Sequence, residues 1–189
     1  MYSMTDRDHK ILDAAIAVFS RYGVRKATMG DIAEQAAMSR PTLYARYANK
    51  DEIMAAAMQL ISERVVNEVV EAWQSAATIS ERIDIFLDCA IVRFFDQIKQ
   101  MPDSGDLMIG GGDGAATHLR AEQGKIDLLA GLFDTRRDAL AAHGMTPADL
   151  ADFFYASASS FKFTARDGKH LESLLATLKR SVMVMLGEG

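Results

Sequence analysis

Apolar residues recur at intervals of three and four along almost the whole chain, and that spacing predicts an all-α fold. Residues 6 to 22 place Ile11, Ala15, Val18, Phe19 and Tyr22 on one face, and Gly23 follows as a stop signal. Thr28 starts a short helix whose apolar face is Ile32, Ala33 and Ala36. After two or three turn residues Ser39, followed by Arg40 and Pro41, starts another. Asn49 caps a helix beginning at Lys50 or Asp51, and the stripe Ile53, Ala57, Leu60, Ile61, Val65 carries it on toward Trp73.

Ser80 is the expected start of the next helix, along which Ile83, Phe86, Leu87, Ala90, Phe94 and Ile98 repeat. Ile85, Cys89, Val92 and Phe95 widen its apolar surface until it reads as a central, buried helix. The glycine-rich stretch 102–114 breaks the pattern and reads as a joint, since no Gly-Lys-Ser/Thr follows to make a phosphate cradle. Helix resumes over 115–143 and stops at Gly144. Thr146 and Pro147 open a helix faced by Leu150, Phe153, Phe154, Ser157 and Phe161. The last helix, about 169–186, repeats Leu171, Leu174, Leu175, Leu178, Val182 and Met185.

Two helices across so short a turn, over 28–50, form a helix-turn-helix, a unit whose second helix fits a major groove. There the chain resembles the TetR family of bacterial transcriptional regulators. Thr28, Ile32-Ala33, Ser39, Pro41-Thr42-Leu43-Tyr44, Tyr47 and Asn49-Lys50-Asp51 fall in the family's order without a gap, over roughly the first 55 residues. One position departs: Ala37 stands where the family usually has a turn glycine, a cost of about 1 kcal/mol if the backbone there is left-handed.

The resemblance implies a three-helix DNA-binding domain over 1–50, a linking helix over 51–75, and a helical effector-binding and dimerisation domain over 51–189. Double-stranded operator DNA is the expected partner. Arg40 and Arg46 carry guanidinium groups able to read guanine edges, or to touch only phosphate or solvent. Pro41 and Thr42 face the groove in relatives. Tyr44 and Lys50 match positions that hold the DNA backbone. Ser39 and Thr28 are helix caps that can also meet phosphate, although capping alone accounts for Ser39 equally well.

In relatives the closing helix pair packs on a two-fold mate, which makes Leu150, Phe153, Phe154, Ser157, Phe161, Leu171, Leu174, Leu178 and Val182 the expected homodimer face. Packing into the chain's own core is the alternative. By the same analogy a small apolar or aromatic effector sits among Trp73, Phe86, Cys89, Ala90, Arg93, Phe94, Met101, Met108 and Phe133. Core packing explains the apolar members as well, and an ion pair with Asp88 explains Arg93.

Net charge is −5, which by itself argues against nucleic acid, but its distribution does not. Residues 1–50 hold eight Lys/Arg against five Asp/Glu, and the remainder 13 against 21, so the head is net +3 and the body −8. With 189 residues, 49% apolar, the chain can bury a sizeable core. No apolar run is long enough to span a membrane, and the charged start MYSMTDRDHK is unlike a secretory leader, so a cytoplasmic location is expected. A lone cysteine and four scattered histidines define no disulfide, catalytic set or metal site. His118 and Glu122, four residues apart, lack a third ligand, and neither a cofactor nor a metal is expected. Three readings follow: a ligand-released repressor, an architectural or protein-partnered DNA binder, and a helical enzyme without visible catalytic groups.

Overall fold

The computed structural model describes residues 4–100 and 114–188, and every described element is helical. In order they are α1 (Asp6–Tyr22), α2 (Met29–Gln35), α3 (Arg40–Tyr44), α4 (Lys50–Ala72), α5 (Ile79–Leu87), α6 (Arg93–Gln100), α7 (Gly114–Asp134), α8 (Arg137–Ala141), α9 (Pro147–Thr164) and α10 (Gly168–Met185). A single 3₁₀ turn, Trp73–Ser75, ends α4. A π turn, Asp88–Val92, joins α5 to α6 without a break in the helical path.

The starts of these helices follow one rule. Thr5 with Asp8, Thr28 with Asp31, Thr78 with Glu81 and Thr146 with Asp149 each form a reciprocal cap, the threonine oxygen accepting an orphan N–H and the carboxylate accepting the threonine's own N–H. The cap expected at Ser80 is therefore two residues earlier, at Thr78. The helix expected over 115–143 is also interrupted. Leu132 and Phe133 complete the buried face of α7, the chain turns at Thr135 and Arg136, and α8 restarts to bury Leu140. The joint read at 102–114 lies outside the described residues except for Gly114, which opens α7.

The chain divides into two compact units, with α4 contributing to both across Ser62 and Glu63. The head, Met1–Ser62, has its own core of Ile11, Leu12, Ala15, Val18, Phe19, Ile32, Ala33, Leu43, Ile53 and Ala57. Its helices α1 and α2 pack on each other, and α3 packs on α2. The body, formed by Glu63–Gln97 and Glu122–Gly189, buries Val69, Ile83, Phe86, Ile91, Phe95, Leu129, Phe133, Phe154, Leu171 and Val182. There α9 packs against α10 and against the π turn. Replacing a fully buried ring such as Phe86 with alanine costs about 3–5 kcal/mol, so this core holds the body together.

Candidate nucleic-acid interface

The turn between α2 and α3 is closed by two backbone bonds. Ala37 N–H donates to Glu34 O at 2.9 Å and Met38 N–H to Ala33 O at 2.9 Å, the doubled Schellman closure of a helix end. That closure needs a left-handed residue at its centre, and Ala37 supplies it with φ 53°, a region where a β-carbon is strained. The departure from glycine noted in the sequence thus falls on a residue whose backbone is left-handed. Ser39 then caps α3, its Oγ accepting from Thr42 N–H at 3.3 Å and sharing a hydrogen bond of 2.7 Å with Thr42 Oγ1. Leu43 is fully buried and anchors α3 to the head core, which leaves Arg40, Pro41 and Tyr44 exposed on the other face, Tyr44 to 51%.

Two of the expected DNA contacts are committed elsewhere. Arg46 lies against Asp8 of α1, with Nη2 donating to Oδ2 at 2.7 Å and Nε donating to Oδ1. The carboxylate is 1% exposed and the guanidinium 34%, so the pair ties the end of the α3 segment to α1. Hydrogen bonding from Arg46 holds the Asp8 carboxyl far below the usual carboxylate range, against the opposing effect of burial. Next to them Tyr47 is half-buried, and burial followed by the Asp8 charge pushes its phenol up. Free projection of Arg46 toward a base edge is corrected accordingly: its guanidinium is a strut.

Lys50 is likewise engaged, its ammonium donating to the carbonyls of Val24 at 2.7 Å, Ala27 at 3.0 Å and Arg25 at 3.4 Å. All three of its donors serve the loop between α1 and α2. The expected Lys50 contact to the DNA backbone is thus not poised in this conformation. Thr28 Oγ1 donates to Asp31 Oδ2 at 2.7 Å, so its hydroxyl proton is spent inside the cap. Arg40 remains exposed. Its guanidinium lies across Gly30, where a β-carbon would stand 2.6 Å from Nη2. The hydrogen bonds from Thr28, with a smaller contribution from the Arg40 charge, hold the Asp31 carboxyl below its ordinary value.

The family model for bacterial regulatory proteins of the tetR family matches residues 11–57, which run from α1 through the helix-turn-helix into α4. The chain belongs to the TetR family. It is 36% identical over 88 residues to the HTH-type nicotine-responsive transcriptional repressor HdnoR of Paenarthrobacter nicotinovorans, covering 44% of this chain and 45% of HdnoR. It is 32% identical over 94 residues to the HTH-type transcriptional activator FasR of Mycolicibacterium smegmatis, covering 50% of this chain and 41% of FasR. The match thus spans less than half the length of either relative. Among solved structures, a TetR-family regulator from Rhodococcus sp. shares the fold with a TM-score of 0.71 over 97% of this chain and 100% of that one, at 16% identity.

In the body of this TetR-family chain, the residues expected to line an effector pocket divide. Phe86 and Phe133 are fully buried and pack on Phe154 with ring centroids 6.4 and 5.9 Å apart. With Cys89, whose thiol burial pushes up, and Ala90, they fill the core rather than line an opening. Trp73 donates from Nε1 to Arg82 O at 2.8 Å, which fixes its ring beside α5. Arg93 is exposed and paired with Asp88 at 2.8 Å and with Glu68, the ion-pair alternative left open by the sequence. Phe94 is half-buried beneath the ammonium of Lys162, 4.6 Å from its centroid. Met101 and Met108 lie outside the described residues. A groove of about 630 Å³ opens instead beside α8, between Ala130, Gly131, Met145 and Pro147, with Asp134 and Arg137 at its edge.

The expected dimer face also divides. Leu150, Phe154, Leu171, Leu178 and Val182 belong to the body's own core, so for these the intrachain reading is the correct one. Ser157, Phe161 and Leu174 are half-buried. Phe153, at 53%, stands outside together with Phe163 and Val184, which the sequence reading omitted. Sequence reasoning also missed Glu122, Lys125 and Lys162, which are buried. The signal was present: Lys162 follows Ala151, Phe154, Tyr155 and Ala158 on the buried stripe of α9, where an apolar residue belongs.

Proposed function

We propose that this protein is a dimeric transcriptional regulator that binds a palindromic operator through the α2–α3 unit and releases it when a small molecule enters the body. The observation that carries the reading is the head itself: a capped α3 held to α2 by a doubled turn, with Arg40, Pro41 and Tyr44 exposed together on a net-positive segment. Arg40 is the base reader, able to engage guanine O6 and N7 bidentately, and Tyr44 and Ser39 meet phosphate. Arg46 and Lys50 act one step back, by setting the pose of α3 and of the α1–α2 loop.

Two heads are needed, since paired half-sites are read one helical turn, about 34–36 Å, apart. The exposed stripe of α9 and α10, Phe153, Ala156, Phe163, Thr177, Ser181 and Val184, mixes large apolar with small side chains and suits a second copy. HdnoR is named a repressor and FasR an activator. Repression is our reading because a dimer on an inverted repeat blocks a promoter without further contacts.

Selection from random duplexes tests this directly. An inverted repeat protected in a footprint supports the reading. Equal, salt-sensitive binding to all sequences replaces it with an architectural DNA binder, and no binding removes DNA as partner.

A further inference from the structure

Inside the body, three charged side chains are buried together. Lys125 and Glu122 of α7 pair at 2.8 Å, and Lys125 reaches the Tyr155 hydroxyl of α9 at 3.4 Å. Lys162, two turns further along α9, is only 9% exposed, and its ammonium meets no hydrogen-bond acceptor among the described residues. It faces aromatic rings instead: Phe94 at 4.6 Å and Phe163 at 6.0 Å. Desolvation, with Lys125 opposing and Glu122 favouring the charge, pulls the Lys162 ammonium down to about 8. The three charged groups sum to +1.

A buried cation without an anion is costly, and folded proteins ordinarily pair or replace it. Ring faces recover part of the lost hydration but accept no proton. What the cluster lacks is one negative charge with hydrogen-bond acceptors. A carboxylate supplies both and brings the sum to zero, whereas a phosphate dianion overshoots. A protonated amine, such as the ligand in the name of the nicotine-responsive HdnoR, would bring a third cation. The rings of Phe94 and Phe163 give an apolar wall to whatever bears the carboxylate.

We infer that the effector is an amphipathic carboxylic acid whose carboxylate docks on the ammonium of Lys162 and whose apolar part lies against Phe94. This rests on the ligand-responsive reading above and names the chemical class of its ligand. The π turn serves the same site. It inserts one residue into the helical register immediately before α6, and Phe94 is the second residue after that insertion.

The test uses the full chain, with unfolding followed by fluorescence of Trp73, the only tryptophan, which packs against the body core. Decanoate and 4-phenylbutyrate are compared with decanol and decylamine. At least one of the acids should raise the melting temperature of the wild type, with the alcohol and amine inert at the same concentration. Lys162→Met should melt higher than the wild type without ligand, because an unpaired buried charge is gone, and should bind the acid at least tenfold more weakly. Lys162→Arg should keep part of the response.

The inference is overturned if neither acid stabilises the wild type, if decanol matches decanoate, or if Lys162→Met responds as strongly as the wild type. A ligand-free Lys162→Met that melts lower than the wild type overturns it too, since the lysine is then structural. DNA selection is scored separately. A chain that selects an operator but ignores both acids loses only this inference, and one that binds acid through Lys162 but selects no sequence loses the regulator reading.

Discussion

Replacing Ala37 with glycine should stabilise the head. The residue occupies the left-handed centre of the turn that ends α2, and α10 ends in the same closure, Gly187 N–H donating to Val184 O at 3.1 Å and Glu188 N–H to Met183 O at 2.9 Å. There the central residue is Gly187, with φ 71°. A β-carbon in this conformation costs about 1–2 kcal/mol. Glycine loses more chain entropy on folding, which returns about 0.4–1 kcal/mol. The net gain for Ala37→Gly is therefore about 0.5–1 kcal/mol. If the head melts alone, that raises its midpoint by roughly 2–8 °C, the shift expected for a unit of about 60 residues.

The reverse change, Gly187→Ala, should cost about the same. Its β-carbon would meet Ala139 at 3.8 Å, an ordinary contact, so backbone strain alone sets the loss. Urea unfolding followed by circular dichroism reads both variants, with the midpoints moving in opposite directions and the slopes unchanged. If Ala37→Gly unfolds at lower urea than the wild type, the left-handed strain assigned to the turn is absent and the argument is wrong.

Arg46→Ala should destabilise the head by about 3–5 kcal/mol, because it leaves the buried Asp8 carboxylate unpaired, and should weaken operator and random DNA alike. A head of unchanged stability that loses preference at one base would return Arg46 to the groove. In the wild type, Asp8 titrates well below its unfolded value near 3.8, so its contribution is intact above that value and fades as pH falls beneath it. An Asp8→Asn head should show a flatter loss of stability below about pH 4, whereas an unchanged acid transition rules Asp8 out as its source. Arg40→Ala should cost about 1–3 kcal/mol on the selected operator and relax one base per half-site, and equal loss on random duplexes would make Arg40 a phosphate contact. Phe153→Glu and Val184→Glu should give folded monomers in sedimentation, since both side chains lie outside the body core, and persistent dimers would move the interface elsewhere.

Local chemistry was legible in the sequence wherever the partners are three or four residues apart. Thr28, Ser39 and Asn49 start helices as read, Asn49 Oδ1 accepting from Glu52 N–H at 2.9 Å. Ser80 failed as a cap because Thr78, two residues earlier, has Glu81 at the reciprocal position. The break at Thr135 escaped notice because apolar spacing continues across it, from Leu132 and Phe133 to Leu140, although the chain reverses into a new helix. Arg46 and Lys50 were misjudged for a different reason. Their partners, Asp8 and the carbonyls from Val24 to Ala27, lie 38 and 23–26 residues away, and no local pattern announces them. On α9 and α10 periodicity identified the apolar stripes, but it does not say whether one's own core or a second copy covers each position.

The π turn at Asp88–Val92 makes the body intolerant of a one-residue change in length at that point. Its extra residue is absorbed by bonds that reach five positions back, as Arg93 N–H does to Asp88 O, and Arg93 uses the same spacing to pair with the Asp88 side chain. Deleting Cys89 or Val92 would restore an ordinary helix and turn everything beyond it by about 100°, the rotation of one residue at 3.6 per turn. Phe94 would swing away from Lys162 while the outline of the fold survived. Length variation inside this turn is therefore a way to erase or create the aromatic wall of the site without altering a single ring or charge.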